Sequence, residues 1–259
     1  MKLVDTHAHL DSEQFASDLT AVLERAGTAG VTAIVAVGTT LDTSRRAVQL
    51  AREHTIVRAA VGIHPNYAAQ AAAEDWQAIT DLAREPEVMA IGETGLDRFR
   101  NDTPFDVQRD YFERHLRLSG ERRMPVIIHC REAEADVLSS LDRIVGSGPA
   151  RGVMHSFTGT AATAARCLEI GLFISFAGQV TFTNRKFDVL REIARIVPAD
   201  RVLLETDSPY LAPEPHRRER NEPAFVGLTA QRLAELRGID RVELARLTSD
   251  NAHRLFGLT

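Results

Sequence analysis

Eight short apolar runs, each followed by a segment with helical spacing, recur along the 259-residue chain. The predicted strands span residues 2–5, 31–37, 55–62, 88–92, 125–129, 152–155, 171–177 and 201–205. Strands that alternate with helices form parallel sheets, and eight such units are typical of a closed barrel. The sequence therefore predicts an α/β fold, a single (β/α)8 TIM-type barrel over residues 1–259.

An open, doubly wound sheet is the alternative fold. No GxGxxG motif follows the first predicted strand, so nothing supports a dinucleotide-binding fold. In one predicted helix, Phe112 and Leu116 share a face, and Gly120 is expected to end that helix. Asp240, followed three residues later by Glu243, predicts a capping-box start for a late helix.

The composition argues against several functional classes. A formal net charge of −5 predicts no general affinity for nucleic acid, so a polyanion would have to be bound locally. Two cysteines, Cys130 and Cys167, provide no disulfide framework and fit a reducing compartment. No apolar run reaches the length of a membrane span, and the N-terminus lacks signal-peptide features. We expect a cytoplasmic protein without a membrane partner.

The opening run MKLVDTHAHL places His7 and His9 one residue apart, just after the first predicted strand. Alternate residues of a strand point to the same face, so these imidazoles project together with Asp5. In a barrel, catalytic residues gather at the carboxyl ends of the strands. Two imidazoles aimed at one point suit a metal ion. The alternative is that one or both are hydrogen-bonded structural histidines.

Four more predicted strands lead into side chains that bind metals, namely Glu93, His129, His155 and Asp207. A buried acid or imidazole is costly unless it is paired, hydrogen-bonded or metal-bound. Six such residues exceed one tetrahedral zinc site and match two ions that share a ligand. The predicted metal ligands are His7, His9, Glu93, His129, His155 and Asp207.

The shared ligand must be an anionic oxygen donor. A carbamylated lysine is unsuitable here, because the only lysines, Lys2 and Lys186, do not lie at strand ends. Glu93 is the remaining candidate. We expect one ion to be held by His7, His9, Glu93 and Asp207, and the other by Glu93, His129 and His155. Four histidines favour zinc, manganese, iron or nickel over magnesium.

Several motifs together resemble the TatD family of metal-dependent hydrolases. They are DTHAHLD at 5–11, GIHPN at 62–66, GETGLD at 92–97, IHCREA at 128–133, HSFTG at 155–159, ETDSPYLAP at 205–213, RNEP at 220–223 and NxxRLFG at 251–257. The resemblance implies a TIM-type barrel, deoxyribonuclease activity, 3′→5′ exonuclease action on single-stranded DNA in relatives, and magnesium dependence. It also supports the ligand assignment. The loop after GETGLD departs from the family pattern at Arg98, where an aromatic residue is frequent, so substrate preference there stays open.

The expected reaction is hydrolysis of a phosphodiester by a water that two divalent ions (Mg, Mn or Zn) activate. Glu93 and Asp207 are the predicted catalytic residues. Asp207 is the candidate general base, and its alternative role is that of a ligand only. Asp5 is either a partner of the second ring nitrogen of His7 or His9 or a strand-end carboxylate in water.

Four residues near the predicted strand ends are candidate substrate contacts: His64, Arg131, Ser208 and Tyr210. A structural histidine, a solvent-facing arginine and a core tyrosine are the respective alternatives for His64, Arg131 and Tyr210.

Arginines and aromatic residues near the predicted strand ends add further candidates for nucleic-acid contact. Arg217, Arg218 and Arg220 form the densest basic run, which either attracts a polyanion or pairs with Glu214, Glu219 and Glu222. Three aromatic residues are candidates for base stacking or for packing: Tyr67, Phe99 and Phe157.

Three functions follow from these features. The first is a deoxyribonuclease with single-stranded DNA ends as its substrate. The second is a metal-dependent amide or ester hydrolase, such as an aminoacyl-nucleic-acid deacylase, because the same ions polarise carbonyls. The third, a non-catalytic metal-binding protein, is disfavoured because no predicted ligand or base is missing. The sequence leaves the oligomeric state open, and a monomer is compatible with it.

Overall fold

One sheet of eight strands forms the centre of the fold, with each strand beside its successor in the chain. The computed structural model describes residues 1–146 and 148–258. The strands are β1 (Leu3–Ala8), β2 (Val31–Val37), β3 (Val57–Val61), β4 (Val88–Asp97), β5 (Val126–Arg131), β6 (Gly152–Met154), β7 (Phe173–Phe176) and β8 (Val202–Leu204).

Helices separate the strands in the predicted alternation. They are α1 (Leu19–Thr28), α2 (Leu41–Glu53), α3 (Asp75–Leu82), α4 (Phe105–Arg122), α5 (Glu134–Val145), α6 (Ala161–Glu169), α7 (Asp188–Ile196), α8 (Val226–Arg237) and α9 (Arg241–Phe256). Short 3-10 helices span Glu13–Phe15, Pro65–Gln70, Gly178–Thr181, Arg185–Phe187, Ala199–Arg201 and Pro223–Phe225. None of these helices, within the two described ranges, has the length and apolarity needed to cross a bilayer.

The first and last strands meet, which distinguishes a barrel from an open sheet. The backbone N–H of His9 donates to the carbonyl of Ser208 (2.7 Å), and that of Asp207 donates to the carbonyl of His7 (2.9 Å). Ala8 and Ser208 form a parallel bridge. The predicted (β/α)8 barrel is confirmed, and the doubly wound alternative is wrong.

The chain divides into two compact units, each with its own buried core. The first unit comprises residues 1–35, 156–164 and 173–258 and includes β1, β7 and β8. The second comprises residues 36–155 and 165–172 and includes β3 to β6. Large side chains that are almost fully buried include Leu3, Phe15 and Phe176 in the first unit, and Ile91, Phe112 and Ile127 in the second.

Three strands extend further than predicted, and one of them is β5, which continues to Arg131 instead of residue 129. β1 continues to Ala8 instead of residue 5, and β4 continues to Asp97 instead of residue 92. The polar residues that suggested strand ends are buried within the strands, since His7 is 0% exposed and Glu93 is 3% exposed. His7 and Glu93 are therefore held by the sheet itself, where the backbone is less mobile than in a loop.

Of the two predicted helix boundaries, the end of α4 is wrong and the start of α9 is confirmed. α4 does not end at Gly120 but continues to Arg122, and Arg123 follows in the left-handed conformation. A side chain at Gly120 would meet open space, so this glycine marks an exposed helical position and not a cap. The start of α9 is confirmed, because the Asp240 side chain accepts the N–H groups of Val242 (2.7 Å) and Glu243 (3.3 Å).

His115 on α4 is a fully buried structural histidine. Its Nε2 accepts the backbone N–H of Ile63 (3.0 Å), and its Nδ1 lies 2.6 Å from the carbonyl of Tyr111. The ring of Trp76 packs edge-on at 4.9 Å between centroids. Burial lowers the pKa of His115 to about 4, so the neutral ring belongs to the folded state.

We expect acidification to destabilise the chain through His115. The unfolded histidine binds its proton near pH 6.5 and the folded one near pH 4, so the unfolded state binds more protons between these values. The contribution to the free energy of unfolding falls by about 2 kcal/mol from pH 6.5 to pH 5. Denaturant titrations followed by the single tryptophan measure this. His115→Gln should show a shallower pH dependence, and identical dependence in both proteins would contradict the expectation.

Candidate metal centre

Glu93 lies among three imidazoles in the second unit. Its Oε1 is 2.9 Å from His155 Nε2, 3.0 Å from His129 Nδ1 and 3.3 Å from His64 Nε2. The sequence predicted His129 and His155 as ligands and His64 as a substrate contact. All three have a ring nitrogen within 3.3 Å of the same carboxylate oxygen. Burying a carboxylate to this degree is costly unless it is paired, hydrogen-bonded or metal-bound.

His129 has an acceptor at each ring nitrogen. Nδ1 faces Glu93, and Nε2 lies 3.0 Å from Asp97 Oδ2. Burial alone would lower the pKa of His129, but the hydrogen bonds to Asp97 and Glu93 raise it above its usual value. Each ring nitrogen thus faces a carboxylate oxygen, and a cation held between Nδ1 and Glu93 would take the place of a proton. This is the arrangement expected of a metal-ligating histidine with a supporting carboxylate.

Asp97, at the end of β4, is a site residue that the sequence reasoning did not single out. Its Oδ2 also accepts from Asn66 Nδ2 (3.2 Å), and its Oδ1 accepts the N–H groups of Phe99 (2.9 Å) and Arg100 (2.8 Å). Burial would raise the pKa of Asp97, but the hydrogen bonds from His129, Arg100 and Asn66 hold it well below its usual range. Two features of the sequence could have indicated this role. Asp97 is the last residue of GETGLD, and its partner Asn66 is the asparagine of GIHPN.

Asp97→Asn is expected to weaken divalent-metal binding about 10- to 100-fold, the usual effect of removing a ligand's hydrogen-bond partner. The amide retains one oxygen for the N–H groups of Phe99 and Arg100, but it presents NH2 toward His129. Calorimetric titration with Mn²⁺ measures the affinity. Asp136→Asn is the matched control, because Asp136 pairs with Arg98, the residue that follows Asp97. Equal affinities in both variants would show that Asp97 does not support the ligand.

The first unit contains a second cluster. His7 Nε2 lies 3.3 Å from His9 Nε2, and Asp207 Oδ1 lies 3.7 Å from His7 Nε2 and 3.4 Å from His9 Nε2. The strand alternation that predicted the convergence of His7 and His9 is therefore confirmed. His7 is fully buried, whereas the side chains of His9 and Asp207 are 13% and 14% exposed. The cluster thus has a closed inner side and a side open to solvent.

Asp5 is fully buried. The prediction that it is a strand-end carboxylate in water is therefore wrong. Thr206 donates to it from the backbone N–H (2.9 Å) and from the hydroxyl (2.6 Å), and the backbone N–H of His7 lies 3.3 Å away. Burial raises the pKa of Asp5 to about 8. Among the described residues it bonds no imidazole, so it holds the backbone on either side of the cluster.

The segment around Asp207 has an unusual backbone that side chains hold in place. Asp207 has φ +57°, a left-handed conformation that is uncommon outside glycine and is found at functional sites. The side chain of Asn221 donates to the carbonyls of Thr206 (2.8 Å) and Tyr210 (2.5 Å). This explains the asparagine of the RNEP motif. Its glutamate, Glu222, forms a bidentate pair with Arg25 on α1.

The other predicted substrate contacts divide into exposed and buried residues. Arg131 is exposed at the end of β5, with its guanidinium 4.9 Å from the ring centroid of Phe99. Tyr210 is 55% exposed, and its ring lies 5.9 Å from that of His9, so it is not core packing. Ser208 is fully buried beneath the turn after Asp207. Its contact with substrate stays a prediction, and the burial of its side chain gives that prediction no support.

The arginine run is engaged within the protein, but not with the predicted glutamates. Arg220 pairs with Asp18 on both carboxylate oxygens at 2.8 Å, and Arg217 bonds Asn184 (3.0 Å) and covers Phe182. Arg218 is exposed. Glutamates 219 and 222 pair with His216 and Arg25 instead. Two of the three arginines are thus committed to loop structure.

Two residues of other loops also have structural partners. Arg98 forms a bidentate pair with Asp136 (2.8 and 2.9 Å) and covers the ring of Phe105 at 3.8 Å. Phe157 is only 3% exposed and belongs to the core, so base stacking by this residue is excluded.

The donor sets fit divalent cations. Two donors about 2.1 Å from one ion, at tetrahedral or octahedral angles, lie about 3.0–3.5 Å apart. The separations among His7, His9 and Asp207 are 3.3–3.7 Å, and those between Glu93 and its imidazoles are 2.9–3.3 Å. Imidazole and carboxylate donors suit zinc, manganese and iron. Such groups at strand ends of a (β/α)8 barrel define a class of metal-dependent hydrolases.

Comparison with known proteins agrees with this class. The model of the TatD related DNase family matches residues 4–257. The chain is 41% identical over 254 residues to YabD of Bacillus subtilis (strain 168), an uncharacterized metal-dependent hydrolase, with 98% of each chain covered. It is 40% identical over 262 residues to the 3′-5′ ssDNA/RNA exonuclease TatD of Citrobacter rodentium (strain ICC168), covering 99% of this chain and 98% of that relative.

A solved structure gives the same result. YJJV, a TatD homolog from Escherichia coli K12, superposes with a TM-score of 0.91 at 29% identity, covering 99% of this chain and 98% of the other. The chain belongs to the TatD related DNase family. It is therefore a metal-dependent hydrolase, in the class of enzymes that act on ester bonds.

Proposed function

We propose that the chain is a divalent-metal-dependent deoxyribonuclease that acts as a 3′→5′ exonuclease on single-stranded DNA. The observation that carries the proposal is the pair of donor clusters, His7–His9–Asp207 and Glu93 with its three imidazoles. The relative named as a 3′-5′ ssDNA/RNA exonuclease, 40% identical over nearly the whole chain, supports the substrate class.

Two ions are proposed. His7, His9 and Asp207 would hold one, and Glu93, His129 and His155 the other, with Glu93 as the ligand shared by both. The sharing is inferred from the anionic oxygen that such a bridge needs and from the absence of a strand-end lysine. His64, 3.3 Å from Glu93, is a further donor for the second ion or a contact for the substrate.

When bound, divalent ions would polarise the phosphoryl oxygens and lower the pKa of the attacking water. Asp207, with its carboxylate 14% exposed, would accept the proton of that water and return it to the leaving oxygen. Asp97 would hold His129 with Nε2 protonated and Nδ1 directed at the metal. Arg131 and Tyr210, both exposed, would contact the substrate near these clusters.

The identity of the ions follows from the donors. The proposed set has four imidazoles and two carboxylates, which favours Mn²⁺ or Zn²⁺ in the tighter position. Mg²⁺ prefers oxygen donors, so it would be the activating ion only at a position rich in carboxylate and water. A cytoplasmic location is proposed from the two free cysteines.

A substrate panel tests the function. Purified chain, incubated with Mg²⁺, Mn²⁺ or Zn²⁺ separately, is offered 3′- and 5′-labelled single-stranded DNA, RNA, duplex DNA, an aminoacyl-nucleotide ester and a dipeptide. The proposal predicts stepwise shortening from the 3′ end of single-stranded DNA. Hydrolysis of only the acyl or amide substrate would favour the alternative hydrolase and overturn the nuclease.

A further inference from the structure

Phe99 is an aromatic residue that the proposed reaction leaves without a role. It is 60% exposed, two residues after Asp97, in the loop between β4 and α4. Single exposed apolar residues are ordinary, so exposure alone implies nothing. The residues around this ring, all within the second unit, indicate that it contacts a ligand.

The ring has a cation on one face. The guanidinium of Arg131 lies 4.9 Å from the centroid of Phe99, and Asp97 and Arg131 are partners in the β4–β5 ladder. Arg131 and Arg100 are both exposed. In the described part of the chain neither takes part in an ion pair, whereas Arg98 is neutralised by Asp136. Phe99 therefore presents an aromatic face beside Arg131, whose positive charge is not neutralised by an ion pair with any described residue.

The loop beneath Phe99 is tied to a metal-ligand support. The N–H groups of Phe99 and Arg100 both donate to Asp97 Oδ1 (2.9 and 2.8 Å), while Asp97 Oδ2 bonds His129. The N–H of Arg98 donates to the carbonyl of Arg131 (2.9 Å). A ring held this way is pre-organised, because little backbone freedom is lost when a ligand stacks on it.

The position of the ring relative to the candidate centre follows from the strand. Arg131 lies two residues beyond His129 on β5, about 7 Å along an extended chain. Beside the same loop is a cavity of about 280 Å³, bordered by Arg98, Arg100 and Asn101. A nucleotide whose base stacks on Phe99 would thus have arginine donors within reach of its phosphate.

We propose that Phe99, with Arg131 beneath it, is a stacking platform for one base of single-stranded nucleic acid bound at the metal centre. This inference rests on the proposed nuclease function and names a subsite of it. Stacking on an aromatic side chain tolerates any base, since every base has a π face. The platform therefore favours single strands, whose bases are free to stack, without selecting a sequence.

The test combines a variant with an altered substrate. Oligonucleotides carrying one abasic position, moved through the last four nucleotides of the 3′ end, are cleaved by the wild type, Phe99→Ala, Phe99→Tyr and Ile196→Ala. Ile196 is the matched control, because it is an apolar residue that is 68% exposed on α7. Initial rates give kcat and KM for each combination.

We expect one abasic position to lower kcat/KM of the wild type by roughly tenfold or more, the scale of losing one stacked base. Phe99→Ala should cause a similar loss on the intact strand, mainly through KM, and no further loss when that base is absent. Phe99→Tyr should behave as the wild type, and Ile196→Ala should change nothing.

Two results would overturn the platform, and they are distinguishable. If the wild type cleaves DNA and Phe99→Ala has the same kcat/KM, the nuclease stands and the platform does not. The same conclusion follows if Phe99→Ala lowers kcat/KM by one constant factor, whichever nucleotide lacks its base. If the wild type cleaves none of the strands with any of the metals, the proposed function fails and the platform fails with it.

Discussion

Glu93→Gln is expected to abolish nearly all hydrolysis while the fold persists. Glu93 Oε1 lies 2.9–3.3 Å from ring nitrogens of His64, His129 and His155, so its charge holds these three imidazoles together. Loss of several kcal/mol of transition-state stabilisation corresponds to about a 10³-fold lower kcat. Glutamine has nearly the same volume, so the core around this position should stay packed.

Steady-state rates on single-stranded DNA measure the loss, and calorimetry with Mn²⁺ should show weaker binding of both ions, because Glu93 is proposed as their shared ligand. Glu192→Gln, an exposed change on α7, is the control for removing a glutamate charge. A Glu93→Gln protein that retains the wild-type rate would remove Glu93 from the centre. A protein that fails to fold would be recognised by its lost thermal transition, and Glu93→Asp would then replace it.

Asp207→Asn is the second substitution expected to lower kcat strongly. It separates the two roles proposed for Asp207, general base and metal ligand. An amide oxygen still ligates a metal, but an amide does not accept a proton from water. If Asp207 is the general base, kcat should fall about 10²- to 10⁴-fold even at saturating Mn²⁺. If it is only a ligand, added Mn²⁺ should restore most of the rate.

The backbone at this position makes the substitution informative. Asp207 has φ +57°, and asparagine adopts the left-handed region about as readily as aspartate. The variant should therefore keep the turn and the hydrogen bond from its N–H to the carbonyl of His7. Wild-type kcat in Asp207→Asn at every metal concentration would contradict both roles.

Local periodicity was enough to predict the fold and the residue types of the site. Eight apolar runs separated by helical segments predicted the barrel, and alternate positions of a strand predicted that His7 and His9 converge. These inferences depend on spacing along one element, and spacing is visible in a sequence.

Contacts between distant segments were not predictable in this way. Asp97 escaped notice because Glu93 looked like the end of its strand, whereas β4 continues to Asp97 and buries it against His129. Ser208 was a candidate substrate contact because it follows Asp207, but it is fully buried and forms a parallel bridge with Ala8 of β1. Burial of a polar residue depends on what packs over it, and no local pattern reports that.

The arginine run shows the same limit for charges. Nearby glutamates were the expected partners, yet Arg220 pairs with Asp18 from a different part of the chain. Pairing follows distance in space, which the sequence does not contain. The sequence of this run predicts a basic patch, whereas in the structure Arg220 of the run holds its loop in place through Asp18.

The central claim is that imidazole and carboxylate side chains of this barrel bind the divalent ions that its hydrolytic reaction requires. Anomalous diffraction from crystals soaked in Mn²⁺ tests it most directly. We expect one peak within about 2.3 Å of the donors of Glu93 and His129 and another at the donors of His7, His9 and Asp207. Absence of Mn²⁺ from both clusters, in protein that still hydrolyses single-stranded DNA with Mn²⁺ present, would contradict it.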